Sequence, residues 1–192
     1  MAIELEIKFC TTENVLEQIK AEFPGEEKYF SMETTYYDTP GRDLSDRHIT
    51  LRRRMENEIS VCTLKAPAQT GRLEFELECD SIGSAIPELC RLAPLPELSS
   101  LLEKGVEPVC GARFQRLAKT VVYQDSTIEI ALDKGILSGG GSQIPLCEVE
   151  FELKSGSEEQ LRQFAAMAAT VYGLTPERRS KFARAAALAK GE

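Results

Sequence analysis

A chain of 192 residues, 42% of them hydrophobic, is long enough to bury a core and is no disordered tract. Its 31 acidic against 23 basic residues leave a net charge of −8, which argues against a nucleic-acid partner, because phosphate backbones are met by basic surfaces. No apolar stretch approaches the ~18 residues of a membrane span, the start MAIELEIKF lacks a basic n-region and a long apolar core, and the six cysteines show no CxxC spacing, so a reduced, soluble, cytoplasmic protein with no membrane or nucleic-acid partner is expected.

The first strand alternates Glu4, Glu6 and Lys8 with Ile3, Leu5, Ile7 and Phe9, so one face is ionic and the other aliphatic. Same-face neighbours lie ~6.6 Å apart. Glu4 and Glu6 therefore repel unless a cation sits between them, as in a divalent-metal pair. TTENVLEQIKAEF predicts a short helix capped by Thr11 or Thr12 and ended by Pro24-Gly25. KYFSMETTYYDTP, rich in aromatic and β-branched residues, predicts a strand that stops at Pro40-Gly41. Strands over 48–55 and 58–66 meet in a tight hairpin at Glu56-Asn57. A strand over 72–80 follows, with Glu74, Glu76 and Glu78 on one face. Helices are expected over Ser81 to Leu92 and within PLPELSSLLEKGVEP. Strands over 107–123, 126–134 and 143–154 complete the β set, with a turn at Gly139-Gly140-Gly141. Glu129 and Asp133 share one face, and Glu148, Glu150, Glu152 and Lys154 repeat the pattern of the first strand. Ser155 or Ser157 opens a helix with Leu161, Phe164, Ala165, Ala168 and Val171 on its apolar side, and Pro176 is read as the N-terminus of a closing helix.

A sheet face in water usually mixes Ser, Thr and Gln among its charges. Here whole faces are ionic, and the acidic strands accompany basic ones, with Arg52 and Arg54 on one face of LRRR and Lys65 in VCTLK. Such faces suit the inside of a water-filled barrel. The expected fold is α+β: an eight-stranded antiparallel β-barrel with helices packed on the outside, as one domain over residues 1–192. Guanidinium forks and ammonium groups bind phosphate oxygens, and carboxylates hold Mg²⁺ or Mn²⁺. That interior suits a polyphosphate carried with a divalent ion; the alternative is a salt-bridge lattice with no ligand. His48 has no histidine partner for zinc and is assigned to a strand start.

The ordered set ExExK, YYDTP, LRRR, TLK, EFE, IEIALDKG, CEVEFELKSG and SKFARA resembles the CYTH family of triphosphate tunnel metalloenzymes and runs from Glu4 to about Leu188. It is most similar to the bacterial inorganic triphosphatases, whose CYTH module is often followed by a helical CHAD domain; the sequence in hand shows only the first module. The resemblance implies that Glu4 and Glu6 bind metal and that Lys8 contacts phosphate. It implies that Arg52, Arg54, Lys65, Arg116 and Lys181 line the tunnel and clamp the triphosphate, with Lys181 presented by the C-terminal helix. Asp133, Glu148 and Glu150 match the opposite wall, where a second metal activates water. The implied catalytic set is Glu4, Glu6, Glu148, Glu150 and Lys181, and the implied ligands of Mg²⁺ or Mn²⁺ are Glu4, Glu6, Asp133, Glu148 and Glu150.

Glu74 and Glu129 match acidic wall positions, and the spacing back from Glu129 favours Arg116 over Arg113 and Lys119. Arg53, Arg72, Lys119 and Glu152 are assigned to the surface, Tyr37 and Asp38 to support of the fold. The implied activity is metal-dependent hydrolysis of a small-molecule partner, inorganic triphosphate, to pyrophosphate and phosphate. Thiamine triphosphatase, nucleoside triphosphatase, class IV adenylate cyclase and a non-catalytic polyphosphate-binding module are the alternatives. The lack of Trp favours the inorganic substrate.

Overall fold

A computed structural model describes residues 5–68 and 72–191; Glu4, half of the expected metal pair of the first strand, lies outside the described residues. The strands are β1 (Glu6–Cys10), β2 (Lys28–Asp38), β3 (Thr50–Glu56), β4 (Ile59–Pro67), β5 (Arg72–Glu78), β6 (Glu107–Tyr123), β7 (Ser126–Gly139), β8 (Ser142–Ser155) and β9 (Thr175–Pro176). Between them run α1 (Glu13–Glu22), α2 (Asp43–Asp46), α3 (Ile82–Leu92), α4 (Leu98–Leu102), α5 (Glu158–Tyr172) and α6 (Lys181–Lys190).

All strands join one antiparallel sheet in the order β5-β4-β3-β2-β6-β7-β8-β1-β9. This corrects the expected closed eight-stranded barrel. Among the described residues there are nine strands, and the end strands β5 and β9 do not pair with each other. The ninth arises at Thr175-Pro176, which pairs with Phe9 and Cys10 of β1 instead of starting a helix. The closing helix begins at Lys181, where Ser180 Oγ accepts the Ala183 N–H at 3.1 Å.

The aliphatic faces are covered as the alternation requires. Phe9, Ile128, Ile130, Val149 and Phe151 pack beneath α1 and α5, which contribute Leu16, Ile19, Leu161 and Phe164. Leu51, Cys62 and Leu64 pack beneath α3 and α4. Phe151 is fully buried, with its ring 5.9 Å from Phe9 and 5.3 Å from Phe164; burial of such a side chain is worth about 1.5–3 kcal/mol. On α5 the face formed by Leu161, Phe164, Ala165 and Ala168 is buried, but Val171 is 67% exposed. It falls off the stripe at the last turn, and Leu174, beyond the left-handed Gly173, takes its place in the core.

The sixth helix departs from the expected outer position. Phe182 and Ala185 pack with Met32, Tyr36, Ala112, Phe114, Leu137 and Leu146, the side chains that share a sheet face with Arg116 and Asp133. The approach is close enough that a Cβ on Gly139 would lie 2.2 Å from the Ala185 carbonyl oxygen. So α6 lies on the ionic face of the sheet, as the resemblance implied for Lys181, while the other long helices lie on the aliphatic face.

Two turns behave as their residues dictate. Asn57 takes up φ 55° between β3 and β4, a conformation Asn tolerates, and its Oδ1 accepts the Ser31 N–H at 2.9 Å. Asp38, fully buried, accepts the N–H groups of Thr39 and Leu44 at 2.8 and 3.0 Å and that of Ser45 at 3.1 Å, which fixes the turn after β2. No helix among the described residues is long and apolar enough to cross a membrane, and all six cysteines are free.

Candidate phosphate and metal site

The ionic face borders a cavity of about 600 Å³ lined from both ends of the sheet: Glu6 and Lys8 of β1, Arg52 and Arg54 of β3, Lys65 of β4, Arg116 of β6, Glu150 of β8 and Lys181 of α6. Because β5 lines the same cavity through Arg72, Glu74 and Glu76, the sheet curls until β5 and β1 border one cavity. Asp133 and Glu148 stand behind this lining, each 0% exposed.

Cross-strand register sets the acidic wall. Arg116 pairs with Asp133 across β6 and β7, Asp133 with Glu148 across β7 and β8, and Glu150 with Lys8 across β8 and β1. The Arg116 guanidinium grips Asp133 with Nε and Nη2, both at 2.7 Å, and also donates to Glu150 Oε2. Lys181 Nζ lies 2.9 Å from Asp133 Oδ2, 2.6 Å from Glu148 Oε2 and 2.7 Å from Glu150 Oε1. Burial alone would raise the pKa of Glu150, but Lys181 and Arg116 outweigh it and hold the carboxyl at about 2. Burial likewise opposes the charge of Lys181, and the three carboxylates override it and raise its pKa. Of the basic residues of β6, Arg113 faces outward and pairs with Glu33 at 3.1 Å, which leaves Arg116 as the inward one.

The basic wall is arranged differently. Arg52 Nη2 is 3.5 Å from both Glu74 Oε1 and Glu76 Oε1, and Lys65 Nζ is 2.9 Å from Glu74 Oε2. Arg54 has no carboxylate within ion-pair distance among the described residues, and its Nε is buried without a hydrogen bond. Burial first, then the neighbouring Arg52 charge, lower its pKa from the ordinary guanidinium value. A desolvated cation with no partner is costly, and it lines the cavity.

Asp133, Glu148 and Glu150 each offer an oxygen within 4.8 Å of the others. Hard oxygen donors in this number suit Mg²⁺ or Mn²⁺. Glu148 Oε2 is buried without an aligned hydrogen bond, the Lys181 contact being one of charge. The donor set therefore fits a divalent ion. Glu6 faces the same cavity, where Lys8 Nζ reaches it at 3.1 Å.

Some residues behave otherwise than the sequence suggested. Arg72 and Glu152, assigned to the surface, line the cavity. Lys119 is 5% exposed rather than on the surface: Nζ donates to the Lys20 and Phe23 carbonyls at 2.7 and 2.8 Å, closing the C-terminal end of α1. Arg53 is half-buried and donates to Ser60 Oγ at 2.8 Å. Glu129 is held by Lys154 at 3.3 Å and does not line the cavity.

Sequence reasoning missed Arg184 and Glu177. Arg184, buried one turn after Lys181, donates to Glu148 Oε1, and its Nε lies 3.7 Å from Glu177 Oε2. Glu177 is held at about 2, chiefly by hydrogen bonds from Arg179, and its N–H donates to the Lys8 carbonyl at 3.0 Å. The only signal for Arg184 in the sequence was its place three residues after Lys181, on the same side of a helix.

The CYTH domain family matches residues 2–186. The chain belongs to the CYTH family. An inorganic triphosphatase of Haemophilus influenzae is 31% identical to it over 173 residues, 85% of this chain and 49% of that protein. The chain thus spans about half the length of that curated relative. Among solved structures, a Hippeastrum protein named as an adenylyl cyclase and described as having a dominant triphosphatase activity superposes with a TM-score of 0.68 at 18% identity, covering 100% of this chain and 96% of that one. A Pyrococcus horikoshii protein gives a TM-score of 0.60 at 21% identity, covering 98% of this chain and 99% of that one. At such identities these two structures speak for the fold alone.

Proposed function

We propose that this CYTH chain is a metal-dependent inorganic triphosphatase that cleaves a terminal phosphoanhydride of linear triphosphate to give pyrophosphate and phosphate. The observation that carries the reading is Arg54, a half-buried guanidinium whose Nε is buried without a hydrogen bond, which has no counter-ion among the described residues and lines a cavity shared with Arg52, Lys65 and Arg116. An anion held along that wall would complete what Arg54 lacks. The name of the Haemophilus influenzae relative agrees with this substrate.

In this reading Arg52, Arg54, Lys65 and Lys8 bind and align the phosphates, and Arg116 and Lys181 meet the charge that grows on the transferred group. Glu6, Asp133, Glu148 and Glu150 would hold Mg²⁺ or Mn²⁺, together with Glu4, which lies outside the described residues. The ion, when bound, supplies charge neutralisation and activates water. No nucleophilic side chain is required. The aromatic residues at the cavity are already engaged: Phe114 carries Arg116 and Lys181 at 5.8 and 5.2 Å from its ring centre, and Tyr36 packs on Phe182 at 5.0 Å. Among the described residues these are the only rings that line the cavity, so little is offered to stack on a thiazole or a nucleobase, which favours the inorganic substrate. We read the chain as one tunnel-type unit acting in a reducing cytoplasm, which suits its free cysteines.

The test is phosphate release by the purified protein from inorganic triphosphate, ATP and thiamine triphosphate, with cyclic-AMP formation followed in parallel. Release from inorganic triphosphate is expected to be fastest and to require Mg²⁺ or Mn²⁺. Equal release in excess EDTA would overturn the metal-dependent reading, and faster turnover of an organic triphosphate would overturn the substrate.

A further inference from the structure

The acidic seat formed by Asp133, Glu148 and Glu150 already contains a cation. Lys181 Nζ lies 2.6 to 2.9 Å from all three carboxylates, donating a hydrogen bond to Glu150 Oε1 and meeting Asp133 and Glu148 as ion pairs. The charges also close without any ion. The three carboxylates face Lys181, Arg116 and Arg184, and Glu177, which also meets Arg184, is matched by Arg179, so that four carboxylates and four cations leave the group neutral. A divalent ion added to this neutral group would leave two uncompensated positive charges out of water, at a high cost. Withdrawing Lys181 first makes the group singly negative, and the same ion then leaves only one positive charge.

The three cations differ in how readily they can leave. Arg116 holds Asp133 with two parallel bonds, and Arg184 lies behind the lining against Glu148 and Glu177. A bidentate fork is fixed by its geometry, whereas an ammonium is a point charge on a flexible stem. Lys181 borders the cavity, as Arg116 does, and it does so from the first turn of α6, with Ser180 and Phe182 beside it in the lining. The face of Phe114, 5.2 Å from Nζ, offers a cation–π surface at the edge of the seat.

We propose that Lys181 is the built-in counter-ion of the Asp133, Glu148 and Glu150 seat and competes with the divalent ion for it, so that metal entry and release of the ammonium towards bound phosphate are one exchange. This rests on the metal-bearing reading of the site and adds the order of events. A divalent ion binds weakly while Lys181 is seated, and a phosphate chain in the cavity promotes loading by giving the ammonium another anion. Metal and triphosphate then bind with positive coupling, each raising the affinity for the other by the same factor.

The experiment is a calorimetric Mn²⁺ titration, without phosphate, of the wild type and of K181M, K181R and the double variant K181M/E150Q. The expected result is at least tenfold tighter Mn²⁺ binding by K181M than by the wild type. K181R, which keeps the charge, should stay near the wild type, and the double variant, which restores neutrality by removing one ligand, should lose the gain. Thermal unfolding provides a second readout: K181M should melt lower than the wild type without the ion, and Mn²⁺ should raise its Tm more.

K181M that folds only with Mn²⁺ would support the exchange; K181M unfolded in both conditions would overturn it. Mn²⁺ affinity of K181M equal to or below that of the wild type, including no binding by either, also overturns it, as does an equal gain in K181R. Phosphate release by the wild type judges the triphosphatase reading separately. Hydrolysis with no gain in K181M removes the exchange alone, and a tenfold gain without hydrolysis removes the activity alone.

Discussion

The cavity has two walls that carry the same kinds of charge in opposite states. On the wall formed by β3, β4 and β5, Arg54 has no counter-ion among the described residues, and Arg52 reaches Glu74 and Glu76 only at 3.5 Å. The carboxylates there remain partly in water, Glu76 with its side chain 48% exposed. On the wall formed by β6, β7, β8 and α6, Asp133 and Glu148 are wholly buried, and Lys181 lies within 2.9 Å of three carboxylates. What a charge does is thus decided by its desolvation and by the geometry of its partner. The first wall is short of anions and can receive phosphate, whereas the second has balanced its own charges and can receive an ion only by exchange.

The largest test of that difference is D133N. It removes the carboxylate that Arg116 grips at two points and leaves buried positive charge uncompensated, so a stability loss of about 3–5 kcal/mol is expected in thermal or urea unfolding. A loss below about 1 kcal/mol would mean that this wall is as wet as the other. R54A should act on binding instead: triphosphate affinity should fall by about 1.5–3 kcal/mol, the worth of a charge-assisted contact. Its stability should hold or rise, because a partly desolvated charge with no counter-ion among the described residues is removed; wild-type affinity for triphosphate in R54A would break the assignment of the receptive wall. The smallest effect is expected for E76Q, whose exposed carboxylate contributes only ~0.2–1 kcal/mol through Arg52. If E76Q unfolded as readily as D133N, the two walls would not differ in the way described.

Much of this site was legible in the sequence because alternation in a strand is a local property. The spacing of Glu6 and Lys8, of Arg52 and Arg54, and of Glu148 and Glu150 placed each pair on one face before any partner strand was known. The misjudged residues are those whose position depends on distant elements. Lys119 reads as surface charge, yet it lies beneath α1 and closes that helix. Arg72, at the start of β5, reads as surface charge, yet the curl of the sheet brings it to the cavity. Pro176 reads as a helix start, yet it pairs with β1 and delays α6 to Lys181.

The sequence by itself determined that this chain forms an α+β protein with an antiparallel sheet, ionic on one face and aliphatic on the other, and which charged residues belong to the ionic face. Period-2 patterning is written residue by residue and needs no partner to be read. Only the tertiary structure decided which of those charges lose their water and which cation stands against which carboxylate. Arg116, Asp133, Glu148 and Lys181 come from three strands and a helix, and they meet through the register of β6, β7 and β8 and the seating of α6 on the inner face. Electrostatic strength grows as water is excluded, so the roles of these residues follow from contacts between parts of the chain far apart in sequence.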